Sequence, residues 1–233
     1  MAERGPVDIA SNVARTRERM AQAAARAGRK PEEVCLVAVS KVVEAARVEE
    51  AIAAGITDLG ENYVQEAAAK RAQVVGSVRW HLIGHLQRNK AAGAAAIFDM
   101  VHTVDSVRLA AALGTHSRLL HRPLDVLLQV NTSGEPTKSG VAPEEVERLL
   151  EAVRDVAGVR VAGLMTIGRW DPDPERARPE FRLLAELART LAARTGIPLP
   201  RLSMGMSHDF EVAIEEGATL VRIGTGIFGP RPG

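Results

Sequence analysis

Eight short apolar runs, separated by longer amphipathic stretches, dominate this sequence of 233 residues. Most of these runs are continuously apolar rather than alternating, which is typical of parallel strands that are covered on both faces. The eight predicted strands are Cys35–Ser40, Asp58–Glu61, Trp80–Gly84, Met100–Val104, Asp125–Thr132, Val159–Ile167, Leu202–Ser207 and Leu220–Phe228. Helices are predicted between them, and a further helix over Val7–Ala27, closed by Gly28, precedes the first strand.

Eight strand–helix units in this length predict an α/β fold, a (β/α)8 TIM barrel with an extra N-terminal helix. No linker or shift of composition divides the chain, so we expect one domain over residues 1–233. An open doubly wound sheet is the alternative, but it needs edge strands that this pattern does not supply.

Charge and cysteine content exclude several classes of function. The chain has 30 Lys and Arg against 29 Asp and Glu, so no net field favours nucleic acid or an anionic membrane as the main partner. Its one cysteine, Cys35, excludes an internal disulfide and a cysteine-based zinc site. Neither a signal peptide nor a membrane-spanning apolar run is visible, so we expect a cytoplasmic protein.

Polar residues follow the predicted strands at their carboxyl ends, where a (β/α)8 barrel carries its active site. Lys41 ends the first strand, and the segment from Arg222 to Thr225 lies on the eighth. Because barrel closure places the eighth strand beside the first, we expect Lys41 to face the glycine-rich segment after Arg222. Backbone N–H groups and a threonine hydroxyl there can bind a phosphate, while the lysine amine forms a Schiff base with a carbonyl group. A solvated lysine at the strand end is the alternative.

Two other motifs are interpreted as structural. Residues Gly224–Gly229 match G-x-G-x-x-G, but they do not open a strand–helix–strand unit with an acidic residue downstream, so we reject dinucleotide binding. His81 and His85 lie on a strand and its exit turn without a carboxylate pair. We therefore expect them to form hydrogen bonds near the mouth of the site, and we predict no metal site.

Six sequence blocks carry a family resemblance in order through nearly the whole chain. The blocks are Val39–Lys41, Gly60–Glu66, Trp80–Lys90, Gly163–Ile167, Leu202–Ser207 and Val221–Thr225. Together they resemble the YggS-type pyridoxal phosphate homeostasis proteins. The sequence departs from the family pattern at two places. Residues 42–44 are Val42, Val43 and Glu44, where the family often has Thr-Lys-Pro, and residue 82 is Leu82, where the family usually has Phe or Met.

The resemblance implies a barrel like the N-terminal domain of alanine racemase, with pyridoxal 5′-phosphate (PLP) as the cofactor. The residues that it implies are Lys41 for the internal aldimine, Ser207, Gly224 and Thr225 with the Met206 backbone for the phosphate, Arg222 at the pyridine nitrogen, and Asn62 near the cofactor ring. An arginine cannot accept a proton from that nitrogen, so carbanion chemistry is expected to be weak. Racemases with this arginine use a tyrosine from a second domain, which we do not expect here, and Tyr63 is the only tyrosine.

The prediction is therefore a PLP-binding protein that carries or buffers the cofactor without robust turnover, and we assign no catalytic residue. PLP-dependent apo-enzymes are the expected recipients, and the expected assembly is a monomer or weak dimer. Lys138 either receives PLP from Lys41 during release or is a solvated loop lysine. An amino-acid racemase-like PLP enzyme and a barrel enzyme that acts on a phosphorylated sugar remain as alternatives.

Overall fold

Eight parallel strands form a closed barrel in the order of the sequence, as seen in a computed structural model that describes residues 7–230. The strands are β1 Cys35–Val39, β2 Asp58–Glu61, β3 Arg79–Leu82, β4 Met100–Val104, β5 Leu124–Gln129, β6 Val159–Met165, β7 Arg201–Met206 and β8 Leu220–Ile223. Strand β1 pairs in parallel with β2 on one side and with β8 on the other. The (β/α)8 barrel is thereby confirmed, and the open sheet is excluded.

Helices cover the outside of the barrel. They are α1 Ile9–Arg26, α2 Ala45–Ala53, α3 Val64–Arg71, α4 Ala91–Ile97, α5 Val107–Leu119, α6 Val146–Arg154, α7 Arg178–Thr195, α8 Phe210–Glu215 and α9 Thr225–Phe228. The predicted N-terminal helix is α1, which begins where the Asp8 side chain accepts a hydrogen bond from the Ser11 amide at 2.9 Å. It packs against α2, α8 and α9, and so it lies over the junction of β8 with β1.

Apolar side chains form two separate regions. The larger region fills the space between the barrel and its helices and includes the fully buried rings of Phe98, Phe181 and Phe210. The smaller region joins side chains from five strands and lies inside the barrel; its members are Val37, Met100, Leu127, Met165 and Leu220. The strands also carry buried polar side chains, which are Asp58, His81, His102, Ser203 and Arg222 among others.

The predicted extent of the last strand is wrong. Strand β8 ends at Ile223, and the chain turns at Gly224 into the short helix α9. The amides of Ile227 and Phe228 both donate to the Gly224 carbonyl at 2.9 Å rather than to a neighbouring strand. Apolar character alone did not mark this end, because both residues are buried in the helix as they would be in a strand.

Residues 1–6, on which the expectation of no signal peptide rests, lie outside the described residues, as do residues 231–233 of the expected single domain. Within residues 7–230, none of the helices has the length and apolar character needed to cross a membrane.

Candidate functional site

Lys41 and the segment after β8 lie at one cavity. The cavity has a volume of about 360 Å³, and Lys41, Gly224 and Thr225 are among the residues that line it. This arrangement follows from barrel closure, since β1 and β8 are hydrogen-bonded neighbours whose carboxyl ends leave the sheet together. An added Cβ at Gly224 would lie 3.4 Å from Val39, an ordinary contact distance, so the two strand ends lie side by side at this cavity.

The loop after β7 reaches the same segment through Ser207. The Ser207 hydroxyl oxygen accepts a hydrogen bond from the Gly224 amide at 3.3 Å. The neighbouring Met206 amide donates a hydrogen bond to Asp209 Oδ1 at 2.6 Å, so in this structure its hydrogen bond is made within the chain and not toward the cavity. Burial raises the pKa of Asp209, although that amide and the Arg222 charge act in the opposite direction. The predicted contact of Met206 with a phosphate stays a prediction.

Arg222 is buried inside the barrel on β8 and is only 4% exposed. Its Nη1 donates to Ser203 Oγ at 2.6 Å and its Nη2 donates to the Thr166 carbonyl at 2.9 Å. Burial lowers the pKa of Arg222 to about 10, while the Asp209 carboxylate acts in the opposite direction. The guanidinium therefore carries its charge at neutral pH and is held as a rigid donor group.

Asn62 follows β2 and lines a different cavity of about 410 Å³, together with Tyr63, Gly84 and His85. An added Cβ at Gly84 would lie 2.3 Å from the Asn62 carbonyl oxygen, so glycine is needed where these two segments meet. The structure thus does not bring Asn62 into the cavity that Lys41 lines. Its predicted place near a cofactor ring stays a prediction.

A cluster of the buried Glu61 and Lys70 with the half-buried Glu66, which we call the carboxylate–lysine cluster, holds the backbone on both sides of Lys41. Lys70 Nζ donates to the Ser40 carbonyl at 2.6 Å and to Glu61 Oε1 at 2.5 Å. Glu61 also accepts the Ser40 hydroxyl at 2.6 Å, and Glu66 accepts the Val42 amide at 2.5 Å. The residue before Lys41 and the residue after it are therefore both anchored to the β2–α3 unit.

Val42 has an unusual backbone conformation. Its φ of +56° lies in the left-handed region, which a β-branched residue rarely adopts. The Val42 side chain is exposed, so side-chain packing does not explain the conformation. The bond from its amide to Glu66 holds the strained turn immediately after Lys41.

His81 forms hydrogen bonds as predicted, but it is buried and forms them inside the barrel instead of near the mouth of the site. Its Nε2 lies 2.9 Å from Asp58 Oδ1, and its Nδ1 lies 2.9 Å from His102 Nε2. His85, by contrast, is exposed. Sequence reasoning missed Asp58 and His102 altogether, although a signal was present: each is a polar residue within an apolar strand, and buried polar groups need partners.

Lys138 lies on the loop after β5. Its Nζ pairs with Glu135 Oε2 at 2.6 Å and donates to the Gly168 carbonyl at 3.0 Å. These contacts fix the loop that connects to the segment after β6. They leave both predicted roles of Lys138 open.

Comparison with known proteins identifies the family. The family model for the alanine racemase N-terminal domain matches residues 11–232. The chain belongs to this family. Within the family, it is 46% identical over 224 residues to the pyridoxal phosphate homeostasis protein of Pseudomonas aeruginosa, with 96% of each chain covered. It is 44% identical over 230 residues to the protein of that name from Escherichia coli, covering 96% of this chain and 97% of the relative.

Solved structures of similar proteins agree with the fold. PipY of Synechococcus elongatus, in a structure with PLP bound, matches with a TM-score of 0.85 and 37% identity, over 95% of this chain and 100% of that one. D-threonine aldolase from Filomicrobium marinum matches with a TM-score of 0.73 at 19% identity, over 95% of this chain and 61% of that one. The second match shows a shared barrel alone.

Proposed function

We propose that this family member binds PLP at the cavity beside Lys41 and acts in PLP homeostasis as a carrier or buffer. The observation that carries the proposal is the meeting of Lys41 with Gly224 and Thr225 at one cavity. The PLP-bound relative PipY and the relatives named pyridoxal phosphate homeostasis proteins support the same function.

The side chains around the cavity fit a phosphorylated aldehyde. Thr225 offers a hydroxyl group at the cavity, and Ser207 offers a second one next to it, where its oxygen accepts a hydrogen bond from the Gly224 amide. Together with the Gly224 and Thr225 amides, these hydroxyl groups are the proposed phosphate ligands. The volume lies within the range of about 300–1,000 Å³ that is usual for small-molecule sites. When bound, PLP supplies an aldehyde that condenses with a lysine amine and releases water. Lys41 is the proposed amine.

Arg222 favours storage of the cofactor over turnover. We place its guanidinium at the pyridine nitrogen, where a charged donor cannot take up a proton and so does not make the ring an electron sink. Tyr63, the only tyrosine, is 64% exposed and lines the second cavity rather than the one beside Lys41. A racemase-like two-base arrangement with this tyrosine therefore finds no support in the geometry.

Absorption spectra and chemical trapping test the proposal. Purified protein incubated with PLP is expected to turn yellow, and borohydride reduction followed by peptide mapping is expected to place the label on Lys41. Lys41→Ala is expected to lose both signals. Lys90→Ala is the matched control, because Lys90 lines the other cavity. Colourless wild-type protein, or a label that persists in Lys41→Ala, would refute the assignment.

Partners and location complete the proposal. The recipients are PLP-dependent apo-enzymes, the protein acts as a monomer or weak dimer, and its location is the cytoplasm. Mixing the PLP-loaded protein with an apo-enzyme and following recovery of that enzyme's activity tests delivery. Recovery no faster than with the same concentration of free PLP would count against a carrier and leave a buffer.

A further inference from the structure

A continuous hydrogen-bonded chain of side chains runs through the barrel interior and ends on Arg222. Arg222 Nη1 lies 2.6 Å from Ser203 Oγ, which lies 2.8 Å from His102 Nδ1. His102 Nε2 lies 2.9 Å from His81 Nδ1, and His81 Nε2 lies 2.9 Å from Asp58 Oδ1. All five residues are at most 4% exposed. We call this arrangement the interior chain.

The two ends of the interior chain fix the direction of every bond in it. Arg222 can only donate, and an ionised Asp58 can only accept. Ser203 therefore accepts from Arg222 and donates to His102 Nδ1, which leaves the His102 proton on Nε2. That proton points at His81 Nδ1, so the His81 proton is on Nε2 and points at Asp58. Both imidazoles are neutral, and each uses both of its ring nitrogens.

Other proton arrangements conflict with the same contacts. If His81 were an imidazolium, it would donate to His102 Nε2, and His102 would then donate to Ser203 Oγ. Ser203 would receive protons from both sides, and its own hydroxyl would need a further acceptor. Burial, with the Arg222 charge acting in the same direction, holds the pKa of His102 well below its ordinary value, as the neutral arrangement requires.

The far end of the interior chain is the Asp58 carboxylate, which forms an ion pair with Arg79. Asp58 Oδ1 also pairs with Arg79 Nη2 at 2.7 Å, and Asp58 Oδ2 accepts the Thr57 hydroxyl at 2.7 Å. Burial alone would raise the pKa of Asp58, but the bonds from His81, Thr57 and Arg79 outweigh it and hold that pKa below its ordinary value. The carboxylate is therefore ionised at neutral pH.

We propose that Asp58, His81, His102 and Ser203 are positioning residues that hold Arg222 as an oriented, charged donor toward the cofactor site. In every hydrogen bond of the interior chain, the donor lies on the Arg222 side and the acceptor lies on the Asp58 side. The Asp58 charge therefore polarises each successive group and makes the Ser203 oxygen a stronger acceptor for Arg222. Asp58 thus acts on Arg222 through the interior chain, in addition to the Asp209 carboxylate, which acts on the Arg222 charge directly. The part of the proposal that concerns the cofactor rests on the proposed function above.

The first experiment needs no cofactor. In apo protein with ¹⁵N-labelled histidine, two-bond nitrogen–proton spectra at neutral pH are expected to show His81 and His102 as neutral rings with the proton on Nε2. The chain has six histidines, so replacing each of the other four by Gln assigns the two signals. A proton on Nδ1 of either ring would overturn the proposed direction of the chain.

The second experiment removes the remote charge and measures PLP binding. Asp58→Asn keeps an acceptor for His81 but loses the charge, and we expect PLP to bind about tenfold more weakly and the arginine ¹⁵N signal of Arg222 to shift. Asp125→Asn is the matched control. Asp125 forms an ion pair with Arg160, which lies opposite it near the start of the neighbouring strand, and Asp58 is paired with Arg79 in the same way. The control is expected to leave both readouts unchanged.

The remaining outcomes separate this inference from the proposed function. Equal PLP binding by Asp58→Asn and Asp125→Asn, with both variants folded, would overturn the positioning role. Ser203→Ala, which breaks the chain beside Arg222, provides a second measurement if Asp58→Asn fails to fold; unchanged affinity in that variant would overturn the role as well. Wild-type protein that binds no PLP would refute the proposed function. The histidine spectra would still test the direction of the hydrogen bonds in the interior chain.

Discussion

Replacing Lys70 by Met isolates the energetic contribution of the carboxylate–lysine cluster. The ammonium group has three acceptors: Glu61 Oε1 at 2.5 Å, the Ser40 carbonyl at 2.6 Å and Glu66 Oε1 at 3.2 Å. Methionine preserves the approximate length of the apolar stem but removes all three bonds. Glu61, which is fully buried, would keep only the Ser40 hydroxyl, and its Oε2 already has no hydrogen-bond partner among the described residues.

The expected loss in the free energy of unfolding at neutral pH is about 3–5 kcal/mol, the usual result of leaving one member of a buried ion pair uncompensated. Adding Glu61→Gln to Lys70→Met removes the stranded charge, and the double variant is expected to lie within about 1 kcal/mol of the wild type. Urea unfolding followed by circular dichroism measures all three proteins. Arg160→Met, at the exposed Arg160–Asp125 pair, is a surface control with an expected loss of about 0–1 kcal/mol.

The loss should also depend on pH. Burial raises the pKa of Glu61 above 4.5, while the Lys70 and Ser40 bonds oppose this shift, so losing Lys70 raises that pKa further. A carboxyl group with a raised pKa in the folded state contributes stability at low pH that is lost as the pH rises through that pKa. The destabilisation by Lys70→Met is thus expected to be larger at about pH 8 than at about pH 5. A loss of equal size at both values, or a double variant no more stable than the single one, would refute the reasoning.

Two further predictions concern backbone conformation. Gly205 has a φ of +88°, and an added Cβ would lie 2.5 Å from the Ala213 Cβ, so Gly205→Ala should lower the free energy of unfolding by about 2–5 kcal/mol. Gly196 also has a positive φ but no atom within 4 Å of an added Cβ, so Gly196→Ala should lower that free energy by only about 1–2 kcal/mol. Equal losses for the two variants in urea unfolding would contradict this prediction. Val42→Gly should leave the free energy of unfolding unchanged or raise it by up to about 1 kcal/mol, because relief of the strain at positive φ offsets the greater conformational entropy of the unfolded chain. A clear decrease in that free energy would argue against strain at Val42.

The fold was largely predictable from the sequence because parallel strands buried on both faces leave continuous apolar runs. Strand starts were accurate to within one residue, whereas several ends were placed too late, most of all that of β8. Residues such as Ile227 and Phe228 are apolar in strand or helix alike, so hydrophobicity did not distinguish the two. The meeting of Lys41 with Gly224 followed from barrel closure alone and needed no side-chain detail.

The supporting residues of the site were not predictable in the same way. Lys70 lies in an alanine-rich helix with Glu66 four residues before it, a pattern that is typical of a solvated face, yet its amine reaches the end of β1. The bond between His102 and Ser203 joins residues that are 101 positions apart. Contacts of this kind depend on which side chains meet across the barrel, and no local pattern encodes them.

The interior chain also links the two halves of the barrel. Its bond from β4 to β7 joins strands that are not neighbours in the sheet, so it exists only when the barrel is closed. A fragment ending after β4 would hold Asp58, His81 and His102 without the serine, and the remaining fragment would hold Arg222 without the histidines. Because an unpaired buried polar group is costly, each half is poorly suited to fold alone. The side chains that orient Arg222 therefore also favour closure of the barrel in a single cooperative step.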